Sequence, residues 1–308
     1  MNTQQKASLF AISAALVLTG SKFFAARSSG SMAVTSSGLD SLLDVFMSGI
    51  NFLAIRQAAE PADKAHQYGH YKIEDLAAVT QSLIIIFSGA MIIYVAVNKF
   101  LQHAVIAYTL LDIEVMALSL SVSFLISSVL ARIGKQTGSK PLLADALHYR
   151  SDLFSNSGAI AAIVLTYYTG RTFFDLLFSV VVGLIIIVSA GRIFWEGFSG
   201  LMDRSIPDSI EKEIEDILNS MPYPYAGHHK LRTRIAGSKK YGDFHLLACR
   251  RANIDEAHEL SEKVEGEFEK MKLAIDIVIH IEPCPEPCQL TDETCIVSTR
   301  RAQTVRSP

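Results

Sequence analysis

The sequence predicts an all-α membrane domain of six transmembrane helices, followed by a small cytoplasmic α+β domain. Three observations predict this fold class. Half of the 308 residues are hydrophobic and only 19% are charged, which is too apolar for an ordinary soluble chain. Apolar residues dominate up to about Phe198, and charged residues become frequent after it. The C-terminal part then carries short segments with helix and strand periods.

Six segments come close to the roughly 20 apolar residues that are needed to cross a bilayer core of about 30 Å. The third of them contains no charged residue and is the clearest. Six spans would place both termini on one side of the membrane. The predicted spans are Leu9–Ala26, Met32–Ile55, Leu76–Val97, Ile113–Leu130, Leu142–Tyr168 and Phe174–Phe194.

Basic residues in the short connections predict the orientation, because such residues concentrate on the cytoplasmic side of membrane proteins. One side carries Arg27, Lys99 and Arg171. We expect the richer side to be cytoplasmic, together with both termini and the C-terminal domain. That side carries Arg56, Lys64, Lys72, Arg132, Lys135, Lys140, Arg192 and Arg204.

The C-terminal part is predicted to follow the order helix, strand, strand, helix, strand. The turn between the first two strands is expected at Gly237–Gly242, and Asp255 is expected to cap the second helix. The expected domains are 1–204 in the membrane, 205–284 in the cytoplasm and a disordered tail at 285–308. The predicted elements are Ser209–Ser220, Leu231–Ile235, Asp243–Cys249, Asp255–Met271 and Ala274–Ile281.

The net charge and the positions of the cysteines argue against two classes of protein, nucleic-acid-binding proteins and disulfide-stabilised extracellular proteins. A net charge of −3 without a sustained basic stripe argues against a nucleic-acid partner. All four cysteines lie in the polar half, and the N-terminus shows no cleavage signature, so a reduced cytosolic compartment is favoured over a disulfide scaffold. The tail cysteines could capture metal or belong to an unstructured thiol segment. The four are Cys249, Cys284, Cys288 and Cys295.

Two pairs of ionisable residues interrupt the predicted spans. Asp40 and Asp44 lie four residues apart in the second span, as do His148 and Asp152 in the fifth. Each pair therefore shares one helix face. A carboxylate in a bilayer costs roughly 2.5–3.5 kcal/mol on insertion scales, so such residues face the bundle interior and mark functional sites. The alternative role is polar contact between helices.

These four residues would supply oxygen and nitrogen ligands in the number that suits tetrahedral Zn²⁺. Three carboxylates around one dication leave excess negative charge, which favours protons as the counter-ion that replaces the metal. His148 is the natural proton carrier near neutral pH.

Two further groups of candidate ligands lie outside the spans. Asp63, His66 and His70 form a D-x-x-H-x-x-x-H cluster in the loop after the second span, where a surface role is equally consistent with the spacing. In the C-terminal domain the candidates fall on different elements, and each by itself is typical of a surface residue. They are His229, His245, His258, His280 and Glu282.

The sequence resembles the cation diffusion facilitator family, and the likeness is to its bacterial zinc and iron efflux branch. The matching stretches extend over nearly the whole chain to Cys284. They read LDSLLD (Leu39–Asp44), PADKAHQYGHYKIEDLAA (Pro61–Ala78), ADALHYRSD (Ala144–Asp152), LMDRSIPD (Leu201–Asp208), HKLRTR (His229–Arg234) and VIHIEPC (Val278–Cys284).

The resemblance implies a Y-shaped homodimer in the bacterial inner membrane, with a metallochaperone-like cytoplasmic domain that binds metal and dimerises. It assigns Asp40, Asp44, His148 and Asp152 to the transport site, and the other two groups to a loop site and to cytoplasmic sites at the dimer interface. The family commonly has aspartate where this chain has Glu282, which keeps the negative charge on a longer side chain. Lys72 and Asp203 match a pair that interlocks the protomers.

The resemblance implies a proton-coupled antiporter that exports divalent transition metals by alternating access. His148 favours zinc, because the manganese transporters of the family tend to have aspartate there; ferrous iron, cobalt and cadmium stay open. Two rivals remain. The same ligands could hold an activated water in an intramembrane metallohydrolase, although no H-E-x-x-H, G-x-S-x-G or P-loop pattern is present. The other rival is a metal-sensing or scaffold subunit without transport.

Overall fold

The computed structural model describes residues 2–29, 32–102, 110–169, 173–220, 225–270 and 275–285. The chain divides into two compact units, Met1–Met202 and Asp203–Pro308. Of the cysteines in the predicted tail, Cys288 and Cys295 lie outside the described residues, as does the tail from residue 286 onward.

The described part of the first unit consists of six long helices. Each predicted span lies within one of them, because each apolar run continues into polar residues that extend the helix at one or both ends. The helices are α1 (Thr3–Ser29), α2 (Met32–Ala58), α3 (Lys72–Leu101), α4 (Leu110–Thr137), α5 (Lys140–Thr169) and α6 (Phe173–Leu201).

Four of these helices are long and apolar enough to cross a membrane by themselves. They contain Thr3–Phe24, Lys72–Asn98, Ala117–Thr137 and Leu176–Leu201. The other two, α2 and α5, carry the ionisable residues of the predicted transport site, which lower their hydropathy. The first unit is thus an integral membrane domain, and the count of six spans stays a prediction.

Helices α3 and α6 pack closely along their length. At Gly183 an added Cβ would lie 2.5 Å from Ile93 Cγ1 and 2.9 Å from the Gly89 carbonyl oxygen, and at Gly89 it would lie 3.1 Å from the Gly183 carbonyl oxygen. Small residues allow helix backbones to approach in a membrane domain, where the packing itself stabilises the pair. These two glycines therefore set the distance between α3 and α6.

A buried ion pair joins α5 to α3 near the ends where both helices begin. Lys140 Nζ lies 2.5 Å from Asp75 Oδ1, whose side chain is fully buried. Lys140 also donates a hydrogen bond to the Glu196 carbonyl oxygen of α6. Gly200 leaves room for the pair, since a Cβ there would lie 2.5 Å from Lys140 Nζ and 2.8 Å from Asp75 Oδ1.

The second unit confirms the predicted order of elements. The sheet order is β1-β2-β3, with β1 antiparallel and β3 parallel to β2. Helix α8 connects the two parallel strands, as a parallel pair requires. The elements are α7 (Asp208–Ser220), β1 (Gly227–Ala236), β2 (Lys239–Ala248), α8 (Ile254–Lys270) and β3 (Ile275–Pro283).

Two local expectations in this unit are wrong. The turn does not extend over Gly237–Gly242, because Ala236 pairs directly with Lys239 and leaves a two-residue connection. Gly237 has a φ of 59°, which a tight hairpin turn with glycine at its first position requires.

Asp255 does not cap α8. The side chain of Asn253 accepts a hydrogen bond from the Glu256 N–H, and the side chain of Glu256 accepts one from the Asn253 N–H. This reciprocal arrangement is a capping box.

One face of the sheet carries the hydrophobic core of this unit. Phe244 and Leu246 of β2 are fully buried against Leu218 of α7 and against Val264 and Phe268 of α8. Because successive side chains of a strand point to opposite faces, the residues between them lie on the other face. That second face carries the candidate histidines.

Candidate metal sites

The predicted transport site brings α2 and α5 into contact inside the bundle. His148 Nε2 lies 2.8 Å from Asp44 Oδ1, although 104 residues separate the two in the chain. Asp152 joins them, and the donor atoms of the three residues all lie within 4.8 Å of one another. The side chains of His148 and Asp44 are only 18% and 15% exposed. Asp40 belongs to α2, and its side chain lies outside the described part of the structure.

The loop site brings Asp63, His66 and His70 together. Asp63 lies 3.3 Å from His66 Nδ1 and 3.5 Å from His70 Nε2. The Asp63 carboxylate also accepts hydrogen bonds from the N–H groups of Ala65 and His66. The hydrogen bond from His66 holds the pKa of the Asp63 carboxyl below its ordinary value. The local loop conformation therefore favours the ionised form of this carboxylate.

The cytoplasmic candidates form a row across the open face of the sheet. His229 pairs with His245, and His245 pairs with His280, in the registers of the two strand ladders. Glu282 bridges the row: its carboxylate lies 2.6 Å from His245 Nδ1 and 2.9 Å from His229 Nε2. His280 Nε2 is more distant from Glu282, at 3.8 Å. The hydrogen bond from His245 lowers the pKa of Glu282.

His258 lies apart from this row. It belongs to α8, its side chain is 70% exposed, and Glu262 Oε1 lies 3.5 Å from its Nε2. Because α8 packs against the core face of the sheet, His258 does not reach the histidines of the open face within one protomer. Its role as a ligand stays a prediction.

The three clusters fit a divalent transition metal by donor chemistry. Each combines imidazole nitrogen with carboxylate oxygen, the ligands that zinc and its neighbours accept. A tetrahedral zinc at about 2.1 Å from each ligand separates those ligands by about 3.4 Å. In the bundle, His148 Nε2 lies 2.8 Å from Asp44 Oδ1, and the donor atoms of the cluster all lie within 4.8 Å of one another.

Two buried charged side chains beside the transport site were not singled out in the sequence. Lys22 of α1 is 7% exposed, and its ammonium group donates to Ser41 Oγ at 2.7 Å. Asp145 of α5 is fully buried one turn before His148. A search for ionisable residues on one helical face would have found Asp145, since positions 145, 148 and 152 share that face.

The fold and the donor sets define an integral membrane protein that groups candidate metal ligands in both of its units. Residues 8–202 match the family described as the cation efflux transmembrane domain. Residues 206–284 match the cytoplasmic domain of cation efflux proteins, whose short name is ZT_dimer. The chain belongs to the cation efflux family, which is the family that the sequence motifs resemble.

Named relatives extend over most of the chain. A cation-efflux pump called FieF from Pectobacterium atrosepticum is 33% identical over 277 residues, which cover 90% of this chain and 92% of the relative. FieF from Salmonella arizonae is 32% identical over 279 residues, with 91% and 92% covered. A solved structure named for CzrB is 26% identical and covers 26% of this chain and 99% of its own, with a TM-score of 0.25.

Proposed function

We propose that this cation efflux transporter exports divalent transition metals, zinc first, in exchange for protons, and that it does so as a homodimer in a bacterial inner membrane. The observation that carries the proposal is the cluster of Asp44, His148 and Asp152 inside the bundle. Ionisable residues at such a position mark ion and proton pathways. Asp40 is proposed as the fourth ligand.

The donor set supports zinc among the possible cations. One imidazole with carboxylates is softer than the all-oxygen set that suits magnesium or manganese, and harder than a thiolate set. A site of this kind binds zinc and still releases it. Cadmium and ferrous iron share enough of this chemistry to be transported as well.

Proton exchange follows from the charge of the site. Asp44 and His148 form a close pair in the bundle interior, where an uncompensated negative charge is costly. When the dication leaves, protons restore part of the lost positive charge. Metal binding reverses this, because imidazole and carboxylate ligands must lose their protons to bind.

The homodimer is supported by the cytoplasmic domain. Its family name refers to a dimer, and the open sheet face has Val278 exposed beside the histidine row. A second copy against this face would cover the apolar side chain. It would also complete the coordination of a metal held by His229, His245 and Glu282, which we propose as a structural or regulatory site.

The test is zinc flux into sealed proteoliposomes that contain the purified protein, with and without an imposed proton gradient. Cadmium, ferrous iron and manganese serve as competitors. We expect flux to follow the gradient and to fall at least about 100-fold in Asp44→Asn, since even outer-shell partners of metal ligands cost about 10–100-fold. Ser151→Ala is the matched control, because this buried α5 hydroxyl donates to the Leu147 carbonyl oxygen of its own helix.

The possible outcomes separate the proposed function from its rivals. Flux in the wild type that is unaffected by the gradient would remove proton exchange from the proposal. Zinc binding without any flux would support the sensor or scaffold instead. Wild-type flux in Asp44→Asn would show that the bundle cluster is not the transport site.

A further inference from the structure

A second polar layer lies next to the transport site in the bundle. Its centre is Asp145, which is fully buried. Ser48 Oγ of α2 donates to this carboxylate at 3.1 Å from either oxygen, and Gln81 Nε2 of α3 donates to Oδ1 at 3.3 Å. Tyr149 OH lies 3.1 Å from Ser48 Oγ. Asn51 in turn donates to the side-chain oxygen of Gln81.

This layer, defined as Asp145, Ser48, Gln81, Tyr149 and Asn51, continues the helix faces that carry the transport site. Asp145 precedes His148 by one turn on α5, and Ser48 follows Asp44 by one turn on α2. Because Asp44 contacts His148 and Ser48 contacts Asp145, the two helices run antiparallel. The layer therefore lies about 5 Å further along the bundle axis, toward the end where α2 finishes and α5 begins.

The charge of Asp145 is unusual for its position. In the part of the chain that the structure describes, its hydrogen-bond partners are neutral side chains, and no lysine or arginine forms an ion pair with it. Asp75 is also fully buried and has Lys140 as a partner. A buried carboxylate without a fixed cation is costly unless a proton or another mobile cation neutralises it.

The chemistry of the layer suits a cation in transit. It offers one carboxylate and the neutral oxygens of Ser48 and Tyr149, a harder and weaker ligand set than carboxylates with imidazole. A dication that loses its water shell inside the bundle needs a negative group at each step of its path. A weak site one turn away can deliver the ion to the stronger cluster.

We propose that Asp145, with Ser48, forms a transfer site that holds the divalent cation between one end of the bundle and the Asp44–His148–Asp152 cluster. The inference rests on the proposed export function, under which this end of the bundle is the cytoplasmic entrance. It adds a metal contact to a residue that is outside the transport site.

The experiment compares three variants of the full-length protein in proteoliposomes with zinc and with cadmium. Asp145→Asn keeps the shape of the side chain and removes its charge. Asp145→Cys replaces the carboxylate with a soft ligand that prefers cadmium. Ser151→Cys is the matched control, since it places a thiol at a buried α5 position that bonds within its own helix.

We expect Asp145→Asn to lower the rate of zinc transport by about tenfold or more, a loss typical of altered metal sites, while zinc still binds at the cluster. In Asp145→Cys the ratio of cadmium to zinc rates should rise by about fivefold, because thiolate selects the softer ion. Ser151→Cys should keep the wild-type ratio. Equal losses for both metals in Asp145→Cys, or wild-type zinc rates in Asp145→Asn, would overturn the transfer site.

An equilibrium measurement separates this inference from the proposed function. Cadmium added to purified Asp145→Cys should produce a cadmium–thiolate absorption band beyond that of the wild type and of Ser151→Cys. This band requires metal contact at position 145 but no transport. The band together with a wild type that shows no flux would establish a metal contact at position 145 and contradict export, whereas absence of the band in an Asp145→Cys protein that still transports would overturn the transfer site alone.

Discussion

The bundle and the sheet domain hold ion pairs of the same length in opposite surroundings. Lys140 and Asp75 lie 2.5 Å apart, with side chains 15% and 0% exposed. Arg232 and Asp243 of the sheet also lie 2.5 Å apart, but with side chains 74% and 42% exposed. The contact distance alone therefore does not determine how strongly each pair interacts. The dielectric environment determines it, because charges attract far more strongly away from water.

The same difference separates the two metal clusters. Asp44 and His148 are only 15% and 18% exposed between the helices. In the sheet row the outer residues His229 and His280 are 44% and 66% exposed, although the central His245 is only 18% exposed. Under the proposed function, loss of a metal from the bundle leaves negative charges that protons compensate. On the sheet, water and salt compensate them. A buried cluster thus suits exchange, and an exposed one suits a stabilising or regulatory ion.

The largest effect on stability is expected from Lys140→Met. This change leaves the Asp75 carboxylate buried without its ammonium partner, and such a loss costs about 3–5 kcal/mol. Thermal unfolding of the purified protein in detergent measures it. A cost below about 1 kcal/mol, the range of surface pairs, would show that the end of the bundle is as wet as the sheet surface.

A matched pair of histidine variants tests the two clusters. We expect His148→Ala to lower zinc flux at least about 100-fold, because a transport ligand is lost. His245→Ala should lower it no more than about fivefold, the small end of couplings between distant sites. Both are measured as initial rates in proteoliposomes. Equal losses would mean that the cytoplasmic cluster is an obligatory step of transport.

A smaller effect than those of the histidine variants is expected in the pH dependence of stability that arises from Glu282 of the sheet cluster. Hydrogen bonds from His245 and His229 hold the pKa of Glu282 below its ordinary value of 4.5. The resulting stabilisation is present above that value and is lost as the pH falls through the lowered pKa. The wild type should therefore melt above Glu282→Gln at pH 7, and this difference should shrink as the pH falls below 4.5 and through the lowered pKa. A difference that grows on acidification would contradict the assignment.

The smallest effect is expected from Arg232→Ala. An exposed ion pair contributes about 0.2–1 kcal/mol and is screened by salt. Unfolding in low and high salt measures this contribution, with Lys140→Met as the buried comparison. A loss as large as that of the buried variant would mean that Arg232 is covered in the assembled protein.

The apolar runs predicted the helices well, because a long helix in a membrane must be apolar along most of its length. The local sequence signals for helix caps and turns were less reliable where two suitable residues lie close together in the chain. Asn253 and Asp255 are both good N-cap residues, and only the reciprocal bonds with Glu256 select the first. In the same way, both Gly237 and Gly242 are typical turn residues, so the predicted turn was longer than the two-residue connection of the structure.

The candidate metal ligands were predictable where they lie within a few residues of one another in the sequence. Helical spacing places His148 and Asp152 on one face, and loop spacing keeps Asp63, His66 and His70 close. The importance of Asp145 depends on Ser48 and Gln81, which are 97 and 64 residues away. No pattern along one helix contains those contacts.

By itself the sequence determined the apolar helices, the order of the sheet domain and the paired ligands on each helix, since these follow from periods of a few residues. Only the tertiary structure decided that Asp44 meets His148, that Lys140 meets Asp75 and that His258 stays away from the histidine row. Helix neighbours and sheet faces arise from packing between distant segments, where residues such as Gly89 and Gly183 set the approach. The sequence determines which ionisable side chains are present, and the tertiary structure determines the burial and the partners of each.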